Sequence, residues 1–241
     1  MPKTIVYITD LHLDETVPFD NGVDARNNWT RILNDIASRA IDQLIFGGDI
    51  GEPSAYEWFF DSVKNYSGKL YLTLGNHDQY EIVKNYYSNK FEESNSELFY
   101  DHEDNNFNYI YLDSSSDKIS DVQLNWLRKE IAAATKKIIL FIHHPVLGLD
   151  TAVDREFPLQ NRDIVKKVLL SSEKEIKIFS GHYHMEERIA EDNITQYITP
   201  SGSFQIEKTK DKIRINKSRF GYRLIELERT NIKTKLIMFD S

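Results

Sequence analysis

Five short clusters in this 241-residue chain gather six of its seven histidines. They are Asp10-Leu11-His12, Gly48-Asp49, Gly75-Asn76-His77-Asp78, His143-His144-Pro145 and Gly181-His182-Tyr183-His184. Taken singly, each has a plain explanation, because Gly, Asp and Asn after a strand are ordinary turn chemistry and paired histidines can be satisfied at a strand end. In Gly181-His182-Tyr183-His184, residues i and i+2 of an extended segment point the same way, so both imidazoles can face one site. Together the clusters demand more, since imidazole, carboxylate and an amide oxygen suit Mn, Fe or Zn better than Ca or Mg, which prefer all-oxygen shells. They offer at least seven ligands, too many for one tetrahedral ion. A carboxylate with two oxygens can bridge a pair of ions, and two ions ~3.5–4 Å apart can clamp a phosphate, generate a hydroxide and stabilise a leaving oxygen. That is hydrolytic phosphoryl chemistry. The seventh histidine, His102, falls in the acidic turn Asp101–Asn106 and is expected at the surface.

The elements that must present these clusters alternate. Residues 3–9 are short, apolar and β-branched and read as a buried strand ending at Asp10. Helical spacing of Trp29, Ile32, Leu33 and Ile36 predicts a helix over 29–40. Strands are expected at 43–46, 69–74, 107–112, 138–142 and 176–179, with four of the five running directly into a polar cluster. Pro53 opens one further helix. Ser120 opens another, with Gln123 in the capping-box position and Leu124, Leu127 and Ile131 on its buried face. Residues 161–171 read as helix. After residue 190 the helical signal fades, and 194–199, 203–207, 222–228 and 232–239 read as strands. In α/β sheets, ligands bind beyond the carboxyl ends of strands, where the loops converge. Strands that each deliver metal-type residues there are hard to explain by core packing.

Length and the absence of any repeat or composition shift predict one domain over 1–241, β-rich from about residue 190. The net charge of −8 argues against a general nucleic-acid binder, and no Lys or Arg cluster lies near the motifs. A small anionic substrate stays compatible, because a metal cluster outweighs a distant negative surface. There are no cysteines, hence no disulfide and no thiolate site. The start MPKTIVYITDLH has no secretory pattern, and no segment has the ~18–20 apolar residues of a membrane span. A cytoplasmic location, without a membrane partner, is the expectation. The oligomeric state stays open, a homodimer included.

The order D-x-H, G-D, G-N-H-D, H-x-P and G-H-x-H, from Asp10 to His184, resembles the calcineurin-like metallophosphoesterase family. The resemblance implies a four-layer αββα sandwich, two mixed β-sheets flanked by helices. It implies Asp10, His12 and His184 on one ion, Asn76, His143 and His182 on the second, and Asp49 bridging. His143 is preferred to His144 because the family's ligand stands two residues before the proline. His77 would sit outside the metal shell, contacting phosphate or protonating the leaving group, with a bridging hydroxide as nucleophile. The cofactors would be two divalent or mixed-valence ions of Mn, Fe or Zn. Three further stretches look like class III cyclic-nucleotide phosphodiesterases and their glycerophosphodiesterase relatives. These are Gly22-Val23-Asp24, the helix from Gln123 to Leu127, and Thr199-Pro200-Ser201 with Gln205 and Gly221-Tyr222-Arg223. Gly202 departs from that pattern, where another small polar residue is usual. The expected activity is hydrolysis of a small phosphodiester, first a 3',5'-cyclic nucleotide. Alternatives are a glycerophosphodiester, a phosphomonoester or a nucleotide pyrophosphate, and, from another class, a non-catalytic protein-binding scaffold of the same fold.

Overall fold

The computed structural model describes residues 3–64, 66–87 and 96–241. Along the chain, β1 (Lys3–Ile8) is followed by α1 (Thr16–Asp20), α2 (Ala25–Ala37) and β2 (Gln43–Phe46). A 3-10 turn at Pro53–Ala55 runs into α3 (Tyr56–Val63), and then come β3 (Lys69–Leu72) and α4 (Tyr80–Tyr86). Next are β4 (Tyr100–Glu103), β5 (Phe107–Tyr111), α5 (Asp121–Ala133), β6 (Lys137–Phe141), α6 (Ala152–Glu156), α7 (Arg162–Leu170) and β7 (Ile176–Ser180). The remaining elements are strands: β8 (Glu187–Glu191), β9 (Ile194–Ile198), β10 (Gln205–Ile206), β11 (Ile215–Asn216), β12 (Arg219–Glu228) and β13 (Asn231–Asp240).

Two large mixed sheets result. One has the order β13-β12-β1-β2-β3, with β1, β2 and β3 parallel and β12 antiparallel to β1. The other has the order β4-β5-β6-β7-β9-β8, parallel from β5 through β9 with antiparallel edges. Alternation along the strands assigns each face. On β6, Ile139 and Phe141 turn toward the first sheet, where the Tyr7 ring lies 5.5 Å from Phe141. Ile138 and Leu140 turn the other way, against Leu124, Leu127 and Ile131 of α5 and Val165 and Leu169 of α7. On the far side of the first sheet, Trp29 of α2 and Phe59 of α3 stack at 5.5 Å, and Phe59 meets Phe46 of β2. Helices, two sheets and helices make the αββα sandwich.

Several local expectations need correction. The helix expected over 29–40 begins at Ala25, because the Asp24 carboxylate accepts the Asn27 N–H and caps it there. Ser120 does cap α5 by accepting from Gln123 N–H. The Gln123 side chain does not return to the cap; it bonds Asp113 main chain and Glu97 instead, tying α5 to the end of β5. His102 is not in a turn: it stands on β4, half-buried, its ring stacked 4.6 Å from Tyr71 and 4.5 Å from Tyr109.

Candidate metal centre

The carboxyl ends of β1, β2 and β3 in one sheet, and of β6 and β7 in the other, meet where the two sheets come together, and all five clusters follow these ends. The loop after β1 runs along the loop after β2, with Asp10 N–H donating to Gly48 O at 2.9 Å and Leu11 N–H to Asp49 O at 2.9 Å. Asp78 fastens the third loop to the second: its carboxylate accepts from Asp49, Ile50 and Gly75 N–H groups at 2.7, 2.9 and 2.9 Å. Asp10 accepts from His182 N–H with both oxygens at 3.1 Å, which brings the end of β7 against the end of β1.

This convergence bends the backbone out of its ordinary range. Asp10, His12, Asp49, His182 and His184 all have positive φ, between 47° and 66°. For a residue with a Cβ that conformation costs roughly 1–2 kcal/mol, and such strain concentrates at functional sites. Five of the seven candidate ligands carry it. It also overturns the extended-strand expectation for His182 and His184. Instead of facing one point, their rings part: His184 stands with Asp10 and His12, while His182 stands with His143 and His144.

Each candidate imidazole has one nitrogen committed to an acceptor. His143 Nδ1 donates to Gly47 O, His184 Nδ1 to Phe204 O and His182 Nε2 to Phe157 O, all at 2.9 Å. His12 Nδ1 donates to Glu15 Oε2 at 2.9 Å. Carbonyl and carboxylate oxygens only accept, so these four nitrogens carry hydrogen and the opposite nitrogens face inward. Outer partners of this kind orient metal-bound histidines.

The inward atoms are too close to coexist as bare lone pairs. His12 Nε2 and His184 Nε2 lie 3.0 Å apart, with Asp10 Oδ1 3.4 Å from His184 Nε2. His143 Nε2 is buried without a hydrogen-bond partner, 3.2 Å from Asp49 Oδ2 and 3.8 Å from Asp10 Oδ1. Asn76 Oδ1 is likewise buried and unpartnered, a condition that costs about 1–3 kcal/mol when unrelieved. Asp49 Oδ2 lies between His12 Nε2, at 3.6 Å, and His143 Nε2. The set calls for positive charge. Burial works to lower the His143 pKa, but Asp49 and Asp10 overcome it and push it up to about 10. Metal ions fit these donors, because cations would answer every one of the facing lone pairs.

His144 lies beside His143 and His182, its ring 3.9 Å from that of His182, and both its nitrogens have other neighbours. Its Nδ1 bonds Ser114 Oγ at 2.9 Å and its Nε2 lies 3.3 Å from Asp117 Oδ1. His77 donates its main-chain N–H to Asp49 Oδ1 at 2.9 Å and is exposed at its side chain. Its Nδ1 is 3.1 Å from Glu15 Oε1. That hydrogen bond is the main reason the His77 pKa rises to about 9. Against burial, which would raise it, bonds from His12 and His77 bring Glu15 down to about 2.

Glu15 is the functional candidate that reading the clusters missed, although its spacing of three residues from His12 is a usable signal. The stretches from Thr199 to Ser201, Gln205, and Gly221 to Arg223 prove to be the frame behind Asp10. Ser201 Oγ donates to the Asp10 carbonyl at 2.7 Å, and Gly221 N–H and Gln205 Nε2 donate to Ser201 O. Buried Arg223 reaches from β12 to Ile198 O and Thr199 Oγ1, joining the sheets. At Gly202, a side chain would press on Leu11 and Ile8, which explains the glycine.

Comparison with known proteins agrees with this geometry. The family model described as calcineurin-like phosphoesterase matches residues 3–196. A probable cyclic nucleotide phosphodiesterase of Fibrobacter succinogenes is 27% identical over 233 residues, covering 95% of this chain and 91% of that protein. A 3',5'-cyclic-nucleotide phosphodiesterase of a Nostoc species is 26% identical over 241 residues, covering 94% and 88%. Among solved structures, a dimetal phosphatase from Danio rerio superposes with a TM-score of 0.66 at 13% identity, covering 96% of this chain and 98% of that one. Among the described residues no helix is long and apolar enough to cross a membrane.

Proposed function

The chain belongs to the calcineurin-like phosphoesterase family, and from that premise we propose that it hydrolyses a small phosphodiester, first a 3',5'-cyclic nucleotide, with two transition-metal ions. It is a metal-dependent phosphoester hydrolase. The observation that carries the dinuclear reading is the convergence of inward nitrogens on Asp10 and Asp49. Asp10, His12 and His184 form one group, and they would hold one ion. His143 and His182 belong to another group, together with His144, and with Asn76 they would hold the second. Asp49, flanked by His12 and His143, would serve both. The ions, Mn, Fe or Zn, would supply Lewis-acid charge at the phosphoryl oxygens and a deprotonated water at neutral pH.

The rest is the work of side chains. Asp10 and Asp49 set the negative floor that would hold the cations. Gly47, Phe157 and Phe204 carbonyls fix the imidazole tautomers. His77 lines the same cavity, held as an imidazolium by Glu15, and donates its proton to the departing oxygen. Its elevated pKa keeps that proton available at neutral pH. The names of the Fibrobacter and Nostoc relatives support the cyclic-nucleotide substrate.

The test is a hydrolysis screen of Mn-loaded protein on bis(p-nitrophenyl) phosphate, p-nitrophenyl phosphate, cyclic AMP and glycerophosphodiesters. Turnover of cyclic AMP and the diester, well above the monoester, is the expected result. A strong preference for the monoester defeats the diesterase reading and leaves the metal site standing.

A further inference from the structure

Above the candidate ligands lies a cavity of about 300 Å³ whose two halves differ sharply in chemistry. The floor consists of five candidate ligands, His12, Asp49, Asn76, His182 and His184, with His77 and Glu15. The walls are apolar, from Val153, Phe157, Phe204, Ile206, Ile213 and Ile215, and no Lys or Arg lines the cavity among the described residues. Ile206 and Ile213 pack against the buried cluster of Val153, Tyr183, Met185 and Ile198. The hairpin β10–β11 is itself pinned to the metal-type residues, with Ile206 N–H donating to His184 O at 3.0 Å.

Phe157 and Phe204 each serve both halves. Their carbonyls orient His182 and His184, and their side chains line the cavity. The apolar wall is therefore in fixed register with the point where a phosphate would sit. A ligand that places phosphate on the floor must lay its organic group on this wall. The wall suits a flat, uncharged group, and it offers no cation to a second phosphate.

Resting on the cyclic-nucleotide reading above, we propose that the cleft between Phe157 and the β10–β11 hairpin is the subsite for the nucleobase. It holds the base by stacking and apolar contact alone. Every base presents a π-face, so such contact tolerates any base, whereas discrimination needs donors and acceptors set against the base edge. No wall side chain carries one. The enzyme therefore accepts purine and pyrimidine cyclic nucleotides alike.

Steady-state kinetics of the Mn-loaded enzyme on cyclic AMP, cyclic GMP and cyclic CMP test this, with Phe157→Ala and Ile213→Asp beside the wild type. The wild-type kcat/KM values should fall within about tenfold of one another, and each variant should raise KM about tenfold for all three, the size of one lost base contact. Phe157 is 53% exposed, so its truncation leaves no buried void and serves even if Ile213→Asp fails to fold. A larger preference for one base, or KM values that do not move, overturns the subsite. No turnover of any cyclic nucleotide beside turnover of bis(p-nitrophenyl) phosphate overturns the cyclic-nucleotide reading, and the subsite falls with it.

Discussion

Glu15 Oε1 lies 3.1 Å from His77 Nδ1. The other oxygen of the same carboxylate holds His12 Nδ1 at 2.9 Å, so one side chain orients both a proposed ligand and the proposed proton donor. As the proposed proton donor, His77 would act in its protonated form, and its pKa is raised to about 9. Activity should hold through neutral pH and fall as pH rises through about 9. Folding follows the same sign: the pair's stabilisation is full between the ordinary pKa of glutamate, about 4.5, and that of histidine, about 6.5, and is lost as pH rises through about 9 or falls toward about 2. Glu15→Gln should move the alkaline limb of the kcat/KM profile down toward the ordinary histidine range. A limb that stays in place removes Glu15 from this role.

His77→Ala should retain both metals while turnover drops about 10²–10⁴-fold, the usual contribution of a positioned general acid. Metal analysis beside kinetics separates the outcomes. Loss of metal would make His77 a ligand, a role its proximity to His12 and Asp49 permits.

His143 and His144 should behave differently despite being adjacent. His143→Ala removes the buried nitrogen 3.2 Å from Asp49 and should leave about one ion per chain, since one binding group survives. His144→Ala removes bonds to Ser114 and Asp117 and the ring contact with His182 and should keep both ions. Inductively coupled plasma analysis after dialysis reads the difference.

Gly181→Ala should weaken metal binding without touching a ligand. An added Cβ would meet the Asp10 carboxylate and the Thr9 side chain, forcing Asp10 off its position. Overpacking of this kind costs about 1–3 kcal/mol, so a lowered Tm should accompany the lost affinity in a calorimetric scan with and without Mn.

How much of this was legible in the sequence follows from the physics of each element. Strands β1, β2, β3, β6 and β7 were visible because short apolar runs stop abruptly at Asp, Asn or His, and those stops are the site. Edge strand β8 was hidden, since all five of its residues are exposed or half-exposed and none is fully buried. The left-handed turns at His182 and His184 were hidden too. Their conformation is imposed by contact between the two sheets, a long-range fact that no local pattern encodes. The link from Glu15 to His77 belongs to the same class, since His77 lies on the loop after β3, and so does β11, a strand of two residues, whereas β10 falls within the strand expected over 203–207.

Asp49→Asn should remove most activity and lower bound metal well below two ions per chain, because an amide offers one oxygen where a carboxylate offers two. Retention of both ions and of turnover would show that Asp49 does not bridge.

The central claim is that these residues form a dinuclear centre that the hydrolysis requires. The most direct measurement titrates metal-free protein with Mn while following turnover of bis(p-nitrophenyl) phosphate. The account predicts that activity appears as the second ion binds and saturates at two ions per chain. Full activity at one ion per chain, or in the chelated protein, would contradict it.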